Sequence, residues 1–152
     1  PNINLKLSLA GNGSELNKVK RLAQKSFVNS NVIFEGLIEE KEIASWMNGL
    51  DIYVHATDGE TLSTSILQSM GCGIPIVASD VSGINNLIKP DSNLGYCIKN
   101  DESIFANTIV RLLQSPDELS RISNNSRKYA EMHCSNNVML NKYIDLIRSI
   151  IS

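Results

Sequence analysis

The chain has 152 residues, 14 Lys and Arg against 16 Asp and Glu, a formal net charge of −2, and is 42% hydrophobic and 20% charged. That length suits one domain with a buried core, and the charge gives no electrostatic reason to expect nucleic acid or an anionic membrane as the main partner. The longest apolar run, Ile74 to Ala78, falls far short of the ~20 residues of a membrane helix, and regular apolar blocks exclude low-complexity disorder. No targeting segment is visible. The chain opens at Pro1 and runs almost straight into a strand-like segment, as a piece of a larger protein would.

Leu5, Leu7 and Leu9 alternate with Lys6 and Ser8, which predicts a half-buried strand over 5–10. Gly11-Asn12-Gly13-Ser14 breaks it, and Leu16, Val19, Leu22, Ala23 and Phe27 recur at helical spacing over 14–27. A second strand follows at 31–36, then a helix with Ile43, Trp46, Met47 and Leu50 on one stripe. A third strand spans 51–56 and a fourth 74–79, with a helix across roughly 61–70 between them. A short helix near 83–88 leads to a last strand around 95–98. From Asp101 only helices are expected: one carries Phe105, Ile109, Leu112 and Leu113, and one starts at Ser115-Pro116-Asp117-Glu118. A last helix, after Ser135, keeps Leu140, Tyr143, Ile144, Ile147, Ile150 and Ile151 on one broad apolar face. Strands alternating with helices, mostly as continuous apolar runs, define an α/β domain with a Rossmann-like parallel sheet, helices on both faces, and added C-terminal helices.

The three cysteines, Cys72, Cys97 and Cys134, are scattered and form no C-x-x-C pair, and the two histidines, His55 and His133, sit far apart in sequence. Reduced thiols are therefore expected, with neither a metal site nor a disulfide framework. Ligands of open α/β sheets bind at strand carboxyl ends, near helix N-termini. Gly11-Asn12-Gly13 lies at one such end, but Leu16 stands where a dinucleotide fingerprint needs its third glycine, and a tight turn explains the pattern as well. Thr57-Asp58-Gly59-Glu60-Thr61 is richer. Glu60 there starts a helix whose first turn, Thr61-Leu62-Ser63-Thr64-Ser65, offers amides and hydroxyls to a phosphate, with Gln68 eight residues beyond Glu60. Spacing alone leaves Glu60 equally readable as a helix cap. His55 sits inside the third strand, beside this loop, as a cleft-wall or a ligand-facing histidine.

Residues 51–83, DIYVHATDGETLSTSILQSMGCGIPIVASDVSG, resemble the signature of the retaining glycosyltransferases of family 4, with Asp51, Glu60, Met70, Gly73, Pro75, Val77, Ala78, Ser79, Asp80 and Gly83 in register. The segments LSLAGNGSELNKVKRLA and NVIFEGLIEEKEIASWMNGLD fit the same family, so the resemblance covers about residues 5–115. It implies the C-terminal, donor-binding half of a GT-B fold, with residues 1–152 as one nucleotide-sugar domain and the acceptor-binding N-terminal domain absent. Glu60 then matches the catalytic-site glutamate that contacts the donor sugar, and Thr61, Leu62, Ser63 and Thr64 the turn that holds diphosphate and sugar. Gln68 falls where most members have a second, ribose-binding glutamate. Gly36, Leu37 and Ile38 match the loop against the base, and Gly11 and Gly13 the turn facing the interdomain cleft.

Asn86 and Ala56-Thr57 depart from the family pattern, and the first strand and helix, with the family's Arg and Lys for the diphosphate, would lie before Pro1. In the order 3-2-1-4-5-6 that strand is central. Its absence predicts direct pairing of the strands at 5–10 and 51–56. The resemblance also implies that the helix after Ser135 crosses towards the other domain, so here it is expected to expose apolar surface that drives self-association. For the intact enzyme the resemblance implies transfer of a sugar, with retention and without a metal, from a nucleoside-diphosphate sugar to a saccharide or lipid-linked acceptor. It further implies work in the cytoplasm, at the inner membrane face, in surface polysaccharide synthesis. A GT-B nucleotide-sugar epimerase and a non-catalytic nucleotide- or partner-binding module are the alternatives.

Overall fold

The computed structural model describes residues 4–26 and 31–151, so Phe27, the expected end of the first helix, lies outside the described residues. The chain divides into two compact units, Pro1–Ile43 and Ala44–Ser152.

In the first unit, β1 (Leu7–Ala10) and β2 (Val32–Gly36) flank α1 (Leu16–Lys25) in sequence and pair in parallel, Leu7 opposite Val32 and Leu9 opposite Phe34. The register shifts after Leu9, so that Ala10 faces Gly36. α2 (Glu40–Met47) opens with Glu40 and Glu42 in its first turn, where acidic side chains favour the helix dipole. The alternating leucines do not produce a half-buried strand: Leu5 is 43% and Leu7 48% exposed, and Ala23 is the one buried side chain among the unit's described residues. A two-stranded ladder has too little face to bury them.

The second unit holds the larger core. β3 (Tyr53–His55), β4 (Ile76–Ser79) and β5 (Tyr96–Ile98) form a parallel sheet in that order. β4 is the central strand, and all four of its residues are fully buried, which is why its sequence is a continuous apolar run instead of an alternating one. Ile76 and Ala78 pack with Ile66 and Met70 of α3 (Thr64–Cys72), with Ile84 of α4 (Ser82–Asn85), and with Ala130. Val77 points the other way, to Phe105 and Leu112 of α5 (Glu102–Leu113) and Ile122 of α6 (Pro116–His133). Helices thus cover both faces, as expected for a doubly wound sheet. α3 ends on Gly73 in the left-handed region (φ 72°), whose amide returns to Met70 O.

The predicted pairing of the strands at 5–10 and 51–56 does not occur. β1 pairs with β2 and β3 with β4, in separate sheets, and no ladder joins β1 to β3 among the described residues. In the order 3-2-1-4-5-6 both edges belong against the first strand, and nothing in either sequence re-specifies them for each other.

β5 is tied to the helices through Glu118. Its carboxylate accepts from the Tyr96 hydroxyl and from Arg111 Nη1 (2.7 Å), while the Arg111 guanidinium lies 4.8 Å from the centre of the Tyr96 ring. The Tyr96 hydrogen bond, then Arg111, hold the Glu118 carboxyl below the usual carboxylate range. A group whose folded pKa is depressed contributes stability above its unfolded pKa and loses it as pH falls through the folded one. Glu118→Gln is therefore expected to lower the melting temperature at neutral pH and to converge with wild type as the pH falls through the depressed folded pKa of Glu118, measured by thermal melts across pH. α7 (Asn136–Ile151) has no buried residue, and Leu140, Tyr143, Leu146, Ile147, Ile150 and Ile151 are all more than half exposed.

Candidate donor site

The loop after β3 carries Glu60 and is fixed from three sides. Ser79, at the carboxyl end of β4, is fully buried and accepts the Thr57 amide proton through Oγ (2.9 Å). The same hydroxyl donates to Asn100 Oδ1 (3.2 Å), and Asn100 Nδ2 donates to Asp58 Oδ1 (2.8 Å). Asp58 is thereby a loop anchor. Thr57 Oγ1 donates to the Gly59 carbonyl, closing the turn at 2.9 Å. Gly83 completes the clamp from α4: a Cβ there would stand 2.2 Å from Glu60 O and 2.4 Å from Thr61 O, closer than any side chain can approach. Gly83 is needed for space, so the backbone of α4 can lie against the backbone that carries Glu60.

Glu60 does not cap α3, and the helix does not begin at Thr61. The N-cap is Ser63, with extended backbone (φ −85°, ψ 110°) and a side chain that accepts from the Ile66 amide; the first turn starts at Thr64. Its hydroxyl wins because it sits in the N-cap position itself and accepts from the amide three residues on. The Glu60 carboxylate instead folds back on its own loop, where Oε1 accepts the Thr61 amide proton (2.9 Å). Its Oε2 faces His55 Nε2 at 3.6 Å, with both side chains about three-quarters buried. His55 Nδ1 lies 3.3 Å from the Tyr53 hydroxyl. Tyr53 also hydrogen-bonds Ser65, whose Oγ is 2.9 Å from Ser63 Oγ. Burial raises the Tyr53 phenol above its ordinary range despite Ser65, so it is a proton donor at neutral pH.

The loop therefore presents a fixed carboxylate next to a helix N-terminus. The amides of Thr64 and Ser65 have no acceptor within α3, and the helix dipole favours an anion there. Thr61, Leu62 and Thr64 are exposed and Ser63 is buried. Gln68 is exposed one turn beyond Thr64, on the same helix face. In the first unit, the Gly11 amide donates to the Gly36 carbonyl (2.6 Å), both residues at positive φ (124° and 71°). Gly11 and Gly13 line an open cleft of about 280 Å³ with Leu9, Leu16 and Phe34. Leu37, beyond β2, is 78% exposed. Among the described residues, no group of three or more His, Cys, Asp or Glu side chains is arranged for a metal ion. Cys97 is no nucleophile: burial, then the charge of Asp80, push its thiol up to about 11. Ser79, Asn100 and Gly83 are the supports that sequence pattern assigned no role.

A parallel sheet covered by helices, with a carboxylate loop and a helix N-terminus at its strand carboxyl ends, defines a Rossmann-like ligand-binding architecture. The model of the glycosyl transferases group 1 family matches residues 1–129, and the chain belongs to that family. It is 31% identical over 113 residues to the alpha-monoglucosyldiacylglycerol synthase of Streptococcus pneumoniae, covering 74% of this chain and 25% of that protein. It is 25% identical over 119 residues to the N-acetyl-alpha-D-glucosaminyl L-malate synthase of Bacillus anthracis, covering 78% and 30%. Among solved structures, Anabaena HepE in complex with UDP superposes with a TM-score of 0.85 at 21% identity, over 95% of this chain and 41% of that one. The chain thus spans about a quarter to a third of the curated relatives' length. No helix among the described residues is long and apolar enough to cross a membrane.

Proposed function

We propose that this chain is the donor-binding part of a retaining, family 4 glycosyltransferase that moves a sugar from a nucleoside-diphosphate sugar to a saccharide or lipid-linked acceptor. The observation that carries this reading is the Glu60 carboxylate, held by the Thr61 amide beside the α3 N-terminus on a loop pinned by Ser79, Asn100 and Gly83. An anionic acceptor in that place takes hydrogen bonds from sugar hydroxyls. The adjoining amides of Thr64 and Ser65, with the turn at Thr61–Ser63, stabilise the diphosphate as charge builds on the leaving group. Gln68 accepts from the ribose through its carbonyl. The acceptor belongs to a preceding domain, and the relative named for a glucosyldiacylglycerol supports a lipid-linked acceptor. In this reading no metal or other cofactor takes part.

Expressed with its upstream half, the protein is expected to transfer sugar with the donor's anomeric configuration retained, read by proton NMR of the product. Epimerised donor, or inverted product, would contradict the proposal. These 152 residues alone are expected to show no transfer. Alone, the chain should also self-associate through the apolar face of α7, giving concentration-dependent sedimentation. The double substitution Leu146→Glu, Ile150→Glu should return it to a monomer; unchanged sedimentation would exclude that face.

A further inference from the structure

His55 Nε2 is the one buried side-chain nitrogen or oxygen among the described residues that makes no hydrogen bond. A buried polar atom left unpaired is costly, and its nearest ionic neighbour is Glu60 Oε2, 3.6 Å away. The carboxylate decides which ring nitrogen carries the proton: a bare Nε2 lone pair would stand against an anionic oxygen, so the neutral ring carries its proton on Nε2, aimed at Glu60. Nδ1 is then an acceptor, with the Tyr53 hydroxyl 3.3 Å away as its donor. On the protein side Oε1 accepts from the Thr61 amide, and Oε2 faces the imidazole Nε2 at 3.6 Å. His55 and Tyr53 are on β3 and Ser65 is in the first turn of α3, so the chain of contacts links the sheet and the helix N-cap to the carboxylate.

We propose that His55 is a positioning residue for donor binding: through Nε2–H it holds Glu60 in the one orientation that leaves its outer lone pairs facing a sugar hydroxyl. Tyr53 and Ser65 fix the ring. The proposal rests on the reading of Glu60 as the sugar-facing carboxylate, and it adds the group that orients it. A ring on β3 beside the carboxylate sets the Glu60 rotamer before the donor arrives, so the ordering cost is already met in the free protein.

Two experiments on the chain as it stands test this. In long-range ¹H–¹⁵N correlation spectra of labelled protein, the neutral His55 ring is expected as the Nε2–H tautomer. Glu60→Ala should shift its Nε2 resonance, and Tyr53→Phe should shift Nδ1. An Nδ1–H tautomer, or an Nε2 resonance indifferent to Glu60→Ala, overturns the proposal without involving any donor. In titrations, His55→Leu is expected to weaken UDP-glucose about tenfold and leave UDP unchanged, and His55→Gln, whose amide can donate from a similar position, to recover most of the loss. Equal weakening of UDP and UDP-glucose, or no recovery in His55→Gln, would mark His55 as a wall of the fold only. The two readings fail separately: a lost ring signature removes His55 and leaves Glu60 in place. Unchanged UDP-glucose affinity in Glu60→Ala, with the ring signature intact, removes the sugar-facing role of Glu60 and this proposal with it.

Discussion

Gly83→Ala is expected to destabilise the protein and to displace the Glu60 loop together. The new Cβ would lie 2.2 Å from Glu60 O and 2.4 Å from Thr61 O, both backbone atoms that cannot swing aside as a side-chain tip can. The loop cannot simply retreat, because Thr57 and Asp58 are held by Ser79 and Asn100. Overpacking of this kind costs about 1–3 kcal/mol. For a chain of this size that is a fall of roughly 3–10 °C in melting temperature. The more telling effect is on the site, since the loop moves where the carboxylate sits. Amide shifts from Thr57 to Ser65 should change in the Gly83→Ala spectrum, and UDP-glucose affinity should fall with them. Gly59→Ala, in the same loop, meets nothing within 4 Å and is the control, expected to stay close to wild type in both measures. Equal behaviour of the two variants would refute the close approach of α4 to the loop.

Glu60→Ala should separate the sugar from the rest of the donor. The carboxylate is anionic and fixed, so a hydroxyl hydrogen-bonded to it is charge-assisted, and such bonds contribute about 1.5–3 kcal/mol. Calorimetric affinity for UDP-glucose is therefore expected to drop by roughly 10- to 150-fold, with affinity for UDP alone unchanged within about twofold. Glu60→Gln keeps an acceptor but no charge and should fall between the two. A comparable loss for UDP would mean that Glu60 serves the loop and not the sugar. An unchanged UDP-glucose affinity would mean that it serves neither.

Much of this was legible in residue order. The continuous apolar run Ile74–Ala78 announces a strand buried on both faces, and it is the central strand of its sheet. Ser115-Pro116 starts α6 at Pro116, as a proline at the first helical position predicts. The apolar stripe of the last helix is as exposed as a face with no partner must be. What could not be read were relations through space. Nothing local in Leu5–Leu9 states which strand lies beside it, so neither its exposure nor its partner strand follows from the alternating pattern. Ser63 and Glu60 are each plausible N-caps by residue type, and only the backbone bend at Ser63 decides between them. Gly83 lies 23 residues from Glu60, and its role is a matter of a distance, which no pattern encodes. Asn100 reaches Asp58 from 42 residues away for the same reason.

The measurement that tests the central claim most directly is an amide-shift titration of the chain with UDP, GDP, ADP and UDP-glucose, repeated in Glu60→Ala. The account predicts that one nucleotide perturbs amides at Thr61–Gln68, that the sugar nucleotide adds shifts at Glu60–Thr64, and that Glu60→Ala abolishes those added shifts. Perturbations clustered away from that segment, or added shifts that survive in Glu60→Ala, would contradict it.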